Sequence, residues 1–350
     1  MFKLGIIGCG RIVEAGHAKA FALLGRDVRV VAVSDVVGNR ADVIGETLGV
    51  SPEHRYTDYR RMLRREALDF VDVALPHFLH KRAVIDSAKA GVHIITEKPL
   101  AVNLREVDAM LAAVEKAGVE LCVLHNYRYT SPKRAALRLI KRGVLGDVFF
   151  TRMERLSGGH WPGAAGYDPA WRTKSARAGG GCLIDNGYHT IYLAREAMDS
   201  PVTRVYAHVA THLQPIDVED LAVLTLEHDN GGVSVIQSAW SIKGPSMGGE
   251  EFHGTRGSLR FGFEGHPVAV HNNKSGKWTY PQVPKQYGGE SFASIMHDCF
   301  KAVREGGRVP TDGWEARRNL EVVVAAYKSA KTGRAVTLPP PARPCEWSKL

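Results

Sequence analysis

Residues 2–13 read FKLGIIGCGRIV, and this stretch decides the fold of the first third of the chain. Its apolar first half predicts a buried strand, and helical periodicity starts directly afterwards at Arg11. Gly8 allows a tight turn between the two elements, while Gly10 lets a pyrophosphate approach the backbone at the amino end of the helix. Val13 stands where the dinucleotide-binding fingerprint has its third glycine, so the match is incomplete. The stretch therefore predicts a strand, a turn and a helix that bind a dinucleotide, or that form only a tight connection.

Strand-like and helical segments continue to alternate up to about residue 126. Further strand-like runs cover 28–35, 70–75, 92–96 and 119–124. This alternation predicts a doubly wound parallel sheet, that is, an α/β domain over residues 1–126. Asp35 ends the second run, where a carboxylate accepts hydrogen bonds from the ribose hydroxyls of NAD and repels the 2′-phosphate of NADP. Arg40 follows one helical turn later and would weaken that preference.

The pattern changes in the second part of the chain, over residues 127–350. Short runs of partial alternation predict strands at 149–155, 202–212, 221–227, 233–242, 251–254 and 258–263. Helical stretches at 131–142, 291–305 and 312–331 accompany them. We therefore expect a second, α+β domain with a large and mostly antiparallel open sheet.

Charge and composition exclude several classes of protein. The 350 residues carry 46 Lys and Arg against 37 Asp and Glu, a net charge of +9. The basic residues are spread along the chain, so they favour attraction of anionic small molecules over nucleic-acid binding. No apolar run reaches the ~18–20 residues of a membrane helix, and no secretion signal precedes the first strand, so we expect a cytoplasmic protein. The five cysteines lack paired spacing, which predicts neither disulfides nor a metal site.

Two separate segments carry candidate groups, one for contact with the reactive end of a cofactor and one for proton transfer. Lys98, within Glu97-Lys98-Pro99, follows the fourth run of the first domain, and ligands of such sheets bind beyond the carboxyl ends of strands. Asp185 and His189 follow three glycines and are four residues apart, which places them on one face of a helix. An acid beside an imidazole suits proton transfer and hydroxyl recognition. The alternative is a helix cap at Asp185 with a core histidine at His189.

In combination these motifs resemble the glucose-fructose oxidoreductase / inositol dehydrogenase (Gfo/Idh/MocA) family of NAD(P)-dependent sugar oxidoreductases. The resemblance covers nearly the whole chain. Besides the motifs above, it rests on Pro76-x-x-x-His80, residues 125–129 with Pro132, Trp171-Arg172, the block from 179 to 189, Glu219-Asp220, and residues 254–259. Val13 and His77 depart from the family pattern, and His77 puts one cofactor contact in doubt.

The resemblance implies a Rossmann domain followed by an α/β domain whose open sheet forms a homodimer or homotetramer interface. It implies hydride transfer between NAD, or NADP, and a secondary hydroxyl or ketone of a sugar, an inositol or a derivative of either. Lys98, Asp185 and His189 fall on the catalytic positions. Together with our reading of the residues, it gives these cofactor-binding candidates: Gly8, Gly10, Arg11, Ile12, Asp35, Arg40, Pro76, His80, Glu97, Lys98, Asn126, Trp171 and Arg172. The substrate-binding candidates are Lys98, Tyr127, Arg128, His160, Trp161, Arg172, Asp185 and His189.

Two other functions remain open at this point. A non-catalytic NAD(P)-binding regulator would have no need of Lys98, Asp185 and His189 together. An enzyme that cleaves glycosides, or oxidises position 3 of a sugar, through transient oxidation would keep its NAD bound and accumulate no NADH.

Overall fold

The computed structural model describes residues 1–160, 169–213, 215–244 and 249–340. The first part of the chain forms a six-stranded parallel sheet in the order β3-β2-β1-β4-β5-β6. Its strands are β1 (Phe2–Ile7), β2 (Val28–Ser34), β3 (Arg55–Tyr56), β4 (Phe70–Val73), β5 (His93–Thr96) and β6 (Leu121–Val123). Its helices are α1 (Ala18–Leu23), α2 (Gly38–Leu48), α3 (Tyr59–Arg65), α4 (His77–Lys89) and α5 (Leu104–Ala117). The expected doubly wound α/β arrangement is confirmed.

Local sequence signals set the ends of several of these helices. The Asn103 side chain accepts a hydrogen bond of 3.0 Å from the amide of Glu106 and so caps the start of α5. Gly118 ends the same helix in the left-handed conformation, with φ of 65°. The helix expected from Arg11 differs in detail, because its first part, Val13–His17, has π-helical hydrogen bonding before α1 begins.

The second part of the chain forms a nine-stranded sheet in the order β14-β13-β12-β11-β7-β10-β9-β8-β15. Its strands are β7 (Val148–Leu156), β8 (Val202–Ala210), β9 (Leu221–His228), β10 (Val233–Ala239), β11 (Glu251–Gly254), β12 (Gly257–Phe263), β13 (His266–Asn272), β14 (Lys277–Thr279) and β15 (Val336–Thr337). The helices of this part are α6 (Ser131–Lys141), α7 (Ser175–Ala178), α8 (Tyr188–Met198), α9 (Glu290–Arg304) and α10 (Gly313–Thr332). The sheet is mostly antiparallel, as expected, but β7 and β10 pair in parallel.

Some elements of this sheet escape the sequence analysis. β13 and β14 lie in a stretch whose hydrophobic alternation is too weak to predict strands, yet they extend the sheet beyond β12. Pairing with neighbouring strands stabilises β13 and β14 as strands, although their own residues give no clear strand signal.

Helix α9 belongs by packing to the first sheet, although it comes late in the chain. Met296 and Phe300 on this helix are fully buried in the same hydrophobic cluster as Leu4 and Phe70. The Phe300 ring meets the Phe70 ring edge-on, with centroids 4.9 Å apart. Residues far apart in sequence thus complete this core, and the division of the chain at residue 126 stays a prediction.

Four of the five cysteines, Cys9, Cys122, Cys182 and Cys299, lie in the described part of the chain, where all four are buried free thiols. Burial raises the pKa of the Cys9 and Cys182 thiols, which keeps both neutral. Within that part no helix is long and apolar enough to cross a membrane. No group of three or more His, Cys, Asp and Glu residues there is arranged to hold a metal ion.

Candidate active site

A narrow groove, here called the nucleotide cleft, lies beyond the carboxyl ends of β1, β2 and β4. It has a volume of about 130 Å³. Gly8 at its base has φ of +98°, and a β-carbon there would lie 2.5 Å from the carbonyl oxygen of Ala74, so only glycine fits. Gly10 is different, because a β-carbon on it would meet no atom within 4 Å. The open space at Gly10 is what a close approach of a phosphate to the backbone requires.

Asp35 closes one end of the nucleotide cleft. Its carboxylate oxygens accept hydrogen bonds of 2.7 and 2.8 Å from the amides of Cys9 and Val37. These bonds hold the carboxylate at the rim of the cleft, where the sequence analysis places a ribose-binding group. Arg40 donates to the carbonyl oxygen of Cys9 at 3.0 Å and is not among the residues that line the cleft.

The nucleotide cleft continues into a larger central cavity of about 460 Å³ between the two sheets. The cleft and the cavity share Ile12, Leu75, Trp171 and Arg172 as lining residues, so one ligand can extend from the first into the second. Cavities of this volume accommodate small molecules.

Lys98 and Asp185 form an ion pair in the wall of the central cavity. Lys98 follows β5, and Asp185 lies in the π-helical turn Leu183–Gly187 that leads into α8. The Lys98 Nζ donates to the Asp185 carboxylate at 3.0 Å and to its carbonyl oxygen at 2.9 Å. Burial alone would raise the pKa of Asp185, but the positive charges of Lys98 and Arg172 outweigh it and hold the pKa well below its usual range. Asp185 is therefore a permanent carboxylate that fixes the lysine.

A backbone constraint places Asp185 in this wall. Gly181 and Leu183 donate their amides to the two oxygens of the Glu219 carboxylate, both at 2.9 Å. Glu219, and not Asp185, thus caps the turn before α8, which removes the capping alternative for Asp185. A β-carbon on Gly180 would lie 1.9 Å from the hydroxyl of Tyr327, so the glycines ahead of the turn are sterically required.

His189 lies on α8, in the same wall of the cavity. Burial lowers the pKa of His189 well below 6.5, and the charges of Lys98 and Arg155 lower it further, so the ring is neutral. Its Nδ1 is 2.8 Å from the hydroxyl of Tyr192, and its ring stacks on Tyr127 with centroids 3.9 Å apart. The ring is therefore locked in place with Nε2 as its remaining polar atom.

A buried histidine that the sequence analysis misses supports Lys98 from behind. His17 is fully buried, with Nδ1 2.7 Å from Asp72 and Nε2 3.0 Å from Glu97. Although burial by itself lowers the pKa of His17, the two carboxylates raise it to about 10, so the ring is an imidazolium at neutral pH. The second oxygen of Glu97 accepts the amide of Lys98 at 3.1 Å. His17 thereby connects the helix after β1 to the segment that carries the lysine.

Most candidates from the sequence line one of the two spaces. Those at the nucleotide cleft are Gly8, Gly10, Arg11, Ile12, Asp35, Pro76, Trp171 and Arg172. Those at the central cavity are Glu97, Lys98, Asn126, Tyr127, His160, Asp185 and His189, besides Ile12, Trp171 and Arg172. The cavity is also lined by residues that are not among the candidates from the sequence: Leu75, His77, Arg155, Leu156, Ser157, Gly159, Asn186 and Phe292. Only His77 had a signal of its own, through its place beside Pro76.

Three candidates lie elsewhere than expected. His80 is buried, lines neither space, and has its two ring nitrogens 2.7 and 3.0 Å from the carbonyl oxygens of Leu75 and Pro99. Arg128 lies behind the cavity wall, where it forms ion pairs with Glu196 at 2.8 Å and Glu315 at 3.1 Å. Neither residue is among those that line the nucleotide cleft or the central cavity, and both have internal partners that the sequence does not reveal. Arg40, as described above, bonds to the chain itself, and Trp161 lies outside the described residues.

Comparison with protein families assigns both parts of the chain. Residues 2–125 match the oxidoreductase family with an NAD-binding Rossmann fold, and residues 134–260 match the GFO/IDH/MocA C-terminal domain.

Named relatives cover almost the full length. The D-apiose dehydrogenase of Paraburkholderia graminis is 30% identical over 96% of this chain and 90% of that protein. The myo-inositol 2-dehydrogenase of Thermotoga maritima is 27% identical over 96% of this chain and 98% of that protein. A crystal structure of levoglucosan dehydrogenase in complex with NADH and levoglucosan matches with a TM-score of 0.84 and 25% identity, over 97% of this chain and all of that one.

Proposed function

The chain belongs to the GFO/IDH/MocA family of NAD-binding oxidoreductases, and from that premise we propose that it is a dehydrogenase that oxidises a secondary hydroxyl of a sugar, an inositol or a derivative, or reduces the ketone. The observation that carries this proposal is the Lys98–Asp185 pair beside neutral His189, in a cavity continuous with the nucleotide cleft. Relatives named as sugar and inositol dehydrogenases support the substrate class.

The residues of the nucleotide cleft fit NAD. The open space at Gly10 admits a pyrophosphate, and Asp35 presents a carboxylate for the ribose hydroxyls. The same carboxylate repels a 2′-phosphate, which favours NAD over NADP. When bound, NAD supplies the nicotinamide that accepts or returns the hydride.

Lys98 is the residue we assign to proton transfer. Its Nζ has three N–H positions, and two of them are directed at the carboxylate and carbonyl oxygens of Asp185. The third position is free to meet the oxygen of a substrate in the central cavity. In alcohol oxidation Lys98 reacts as the neutral amine, having given one proton to water: two hydrogens stay directed at Asp185, and the lone pair at the third position takes the hydroxyl proton as the carbon loses its hydride. In ketone reduction Lys98 reacts as the ammonium and gives the proton at that position to the oxygen.

His189 and Asp185 orient the substrate and the lysine. The Tyr192 hydroxyl accepts the amide hydrogen of Tyr127 at 3.1 Å, so its own hydrogen is directed at Nδ1 of His189. This assigns the remaining ring hydrogen to Nε2, from which His189 donates a hydrogen bond to the reacting oxygen. Asp185 holds Lys98 in position through its fixed negative charge.

The proposal extends to assembly and location. Alternate residues of β7, β9 and β10 on one face of the nine-stranded sheet are half-buried or exposed, and this face would form the interface of a homodimer or homotetramer. A cytoplasmic location stays a prediction.

The test is reduction of NAD or NADP by a panel of sugars, inositols and sugar acids, followed by absorbance of the reduced nicotinamide. Replacing Lys98 with Ala should lower kcat by roughly 10²–10⁴-fold and leave NAD affinity, measured by calorimetry, nearly unchanged. Lys89→Ala, on the exposed face of α4, is the matched control.

Three outcomes would contradict the proposal in different ways. Retention of activity within about threefold in Lys98→Ala would exclude the lysine as the proton-transfer group. Binding of NAD without turnover of any substrate would favour the regulator. Absence of binding by either dinucleotide would overturn the cofactor assignment itself.

A further inference from the structure

Arg155 lies on the second sheet and lines the central cavity. It lies near the carboxyl end of β7, where side chains alternate between the two faces of the sheet. Thr151 and Met153 are buried on the face that α8 covers, and Arg155 follows on that same face with its side chain exposed. Its guanidinium therefore reaches the cavity that also holds Lys98 and His189.

Among the described residues, Arg155 has no ion-pair partner that compensates its positive charge. The Nη2 atom donates to the hydroxyl of Tyr127 at 2.6 Å, and the guanidinium carbon is 4.9 Å from the centre of that ring. Both contacts are made with a neutral partner. No described carboxylate forms an ion pair with Arg155.

The other charges around the cavity form two groups whose net charges cancel. Lys98 and Arg172 share the carboxylate of Asp185, at 3.0 and 3.5 Å, which leaves a net charge of +1. Asp72 and Glu97 share the imidazolium of His17, at 2.7 and 3.0 Å, which leaves a net charge of −1. His189 and His77 are neutral, because burial lowers the pKa of both rings well below 6.5. Among the described residues, the guanidinium of Arg155 is thus the charge in this cavity that a ligand is left to neutralise.

We propose that the substrate is a sugar or polyol acid whose carboxylate is bound by Arg155. The inference rests on the proposed dehydrogenase function, since it names the substrate class of the same site. A guanidinium presents two parallel N–H groups that match the two oxygens of a carboxylate. One guanidinium balances the single charge of a carboxylate, whereas a phosphate ester brings close to two, so the observations favour the carboxylate.

Tyr127 sets the spacing between the two ends of such a substrate. Its ring stacks on His189, and its hydroxyl accepts from Arg155. The carboxylate therefore lies on the far side of Tyr127 from the ring that contacts the reacting oxygen, several bonds from the carbon that is oxidised. Aldonic and uronic acids have this arrangement of a carboxylate and a remote secondary hydroxyl.

The experiment compares matched pairs of compounds: D-glucuronate with D-glucose, D-galacturonate with D-galactose, and D-gluconate with D-glucitol. The wild type should have the higher kcat/KM for the acid of at least one pair. In Arg155→Met, the ratio of kcat/KM for that acid to that for its neutral partner should fall by about 10- to 100-fold, the effect of losing one charge-assisted hydrogen-bonded pair.

Two further variants separate local recognition from net charge. Arg155→Lys keeps the charge without the two-pronged geometry and should retain part of the preference. Arg105→Met removes an equal charge from an exposed position on α5 and should leave the ratio unchanged. An equal loss of ratio in Arg105→Met would mean that long-range attraction, and not Arg155, sets the preference.

A second measurement does not depend on turnover. Each acid, each neutral partner and the corresponding sugar phosphates are titrated calorimetrically into the protein saturated with NADH. Tighter binding of an acid, weakened in Arg155→Met, supports the inference even if no compound is oxidised, in which case the proposed function alone has failed. Equal affinity of the wild type for the acid and its neutral partner, or tighter binding of a phosphate ester, would overturn the carboxylate assignment.

Discussion

The hydroxyl of Tyr192 determines what His189 offers to a substrate. Burial raises the pKa of Tyr192 well above 10, so the phenol keeps its hydrogen. In the proposed tautomer this hydrogen is donated to Nδ1 of His189 at 2.8 Å, while the amide of Tyr127 donates to the phenol oxygen. In the proposed reaction Tyr192 is therefore a positioning residue, which would fix the tautomer of the ring that contacts the reacting oxygen.

At the scale of single residues, we predict that Tyr192→Phe allows His189 to adopt both neutral tautomers. The imidazole nitrogen shifts of ¹⁵N-labelled protein should show an Nε2–H ring for His189 in the wild type and a mixture of tautomers in the variant. The loss of one hydrogen bond should lower kcat by about 5- to 10-fold. Tyr287→Phe, at an exposed tyrosine, is the control. An Nδ1–H ring in the wild type would contradict the assignment.

At the scale of elements, a buried charge network joins the helix after β1 to the sheet. Asp72 belongs to β4, Glu97 follows β5, and His17 lies in the π-helical turn before α1. The Phe292 ring, near the start of α9, packs against the imidazolium with centroids 4.7 Å apart. Removal of the imidazolium would leave two buried carboxylates facing each other, which is costly.

We predict that His17→Asn destabilises the fold by about 3–5 kcal/mol at neutral pH, the usual effect of removing one partner of a buried ion pair. The folded-state pKa of His17 is raised from 6.5 to about 10, so its stabilising contribution is fully present below about pH 6.5 and is lost as the pH rises through about 10. The difference in unfolding free energy between wild type and variant should therefore shrink between pH 6.5 and 10.

Urea denaturation across that pH range measures this difference. His212→Asn, at an exposed histidine, should show no comparable change. A difference that stays constant from pH 6.5 to 10 would mean that His17 is not charged in the folded protein.

Helices and strands also differ in how well the sequence predicts them. The helices and strands of the first sheet follow from local periodicity and from caps such as Asn103, since each of these signals lies within a few residues of the structure it specifies. β13 and β14 lack such a local signal. Strand β7 was predicted, but its parallel pairing with β10 depends on a long connection and on packing that no local pattern encodes.

For the whole molecule, the uncovered face of the nine-stranded sheet is the feature with the clearest consequence. Tyr206 on β8 and Val223 on β9 are 51% and 37% exposed on this face, and Val235 on β10 is only half-buried. Thr225 and His208 lie between these apolar side chains on the same face, and a mixed surface of this kind is typical of an interface between chains. The proposed homo-oligomer would bury it.

We predict that Val223→Glu dissociates the oligomer, because the variant would bury a charge without a partner in the interface. Light scattering after size-exclusion chromatography should give a multiple of 38.3 kDa for the wild type and a smaller mass for the variant. Val43→Glu, at an exposed position on α2, is the control and should keep the wild-type mass. A wild type that elutes as a single 38.3 kDa chain would rule out the interface.

The sequence by itself determined the doubly wound domain, the mostly antiparallel second sheet and the residues expected to perform the chemistry. Turn geometry, strand ends and helical spacing are properties of neighbouring residues, and they mark Gly8, Gly10, Lys98 and Asp185 as candidates, while the catalytic roles of Lys98 and Asp185 come from the family resemblance. The structure brings Lys98 and Asp185 within 3.0 Å of each other, although 87 residues separate them.

Only the tertiary structure decided which charged groups are available to a ligand. Arg128 and His80 are occupied by internal partners, whereas Arg155, which no motif marks, faces the cavity, and His17 becomes a buried imidazolium. The physical reason is that the state of a charge depends on every group packed around it, and those groups come from distant parts of the chain. Local sequence patterns encode backbone geometry, while the pairing of charges is settled when the two sheets and their helices come together.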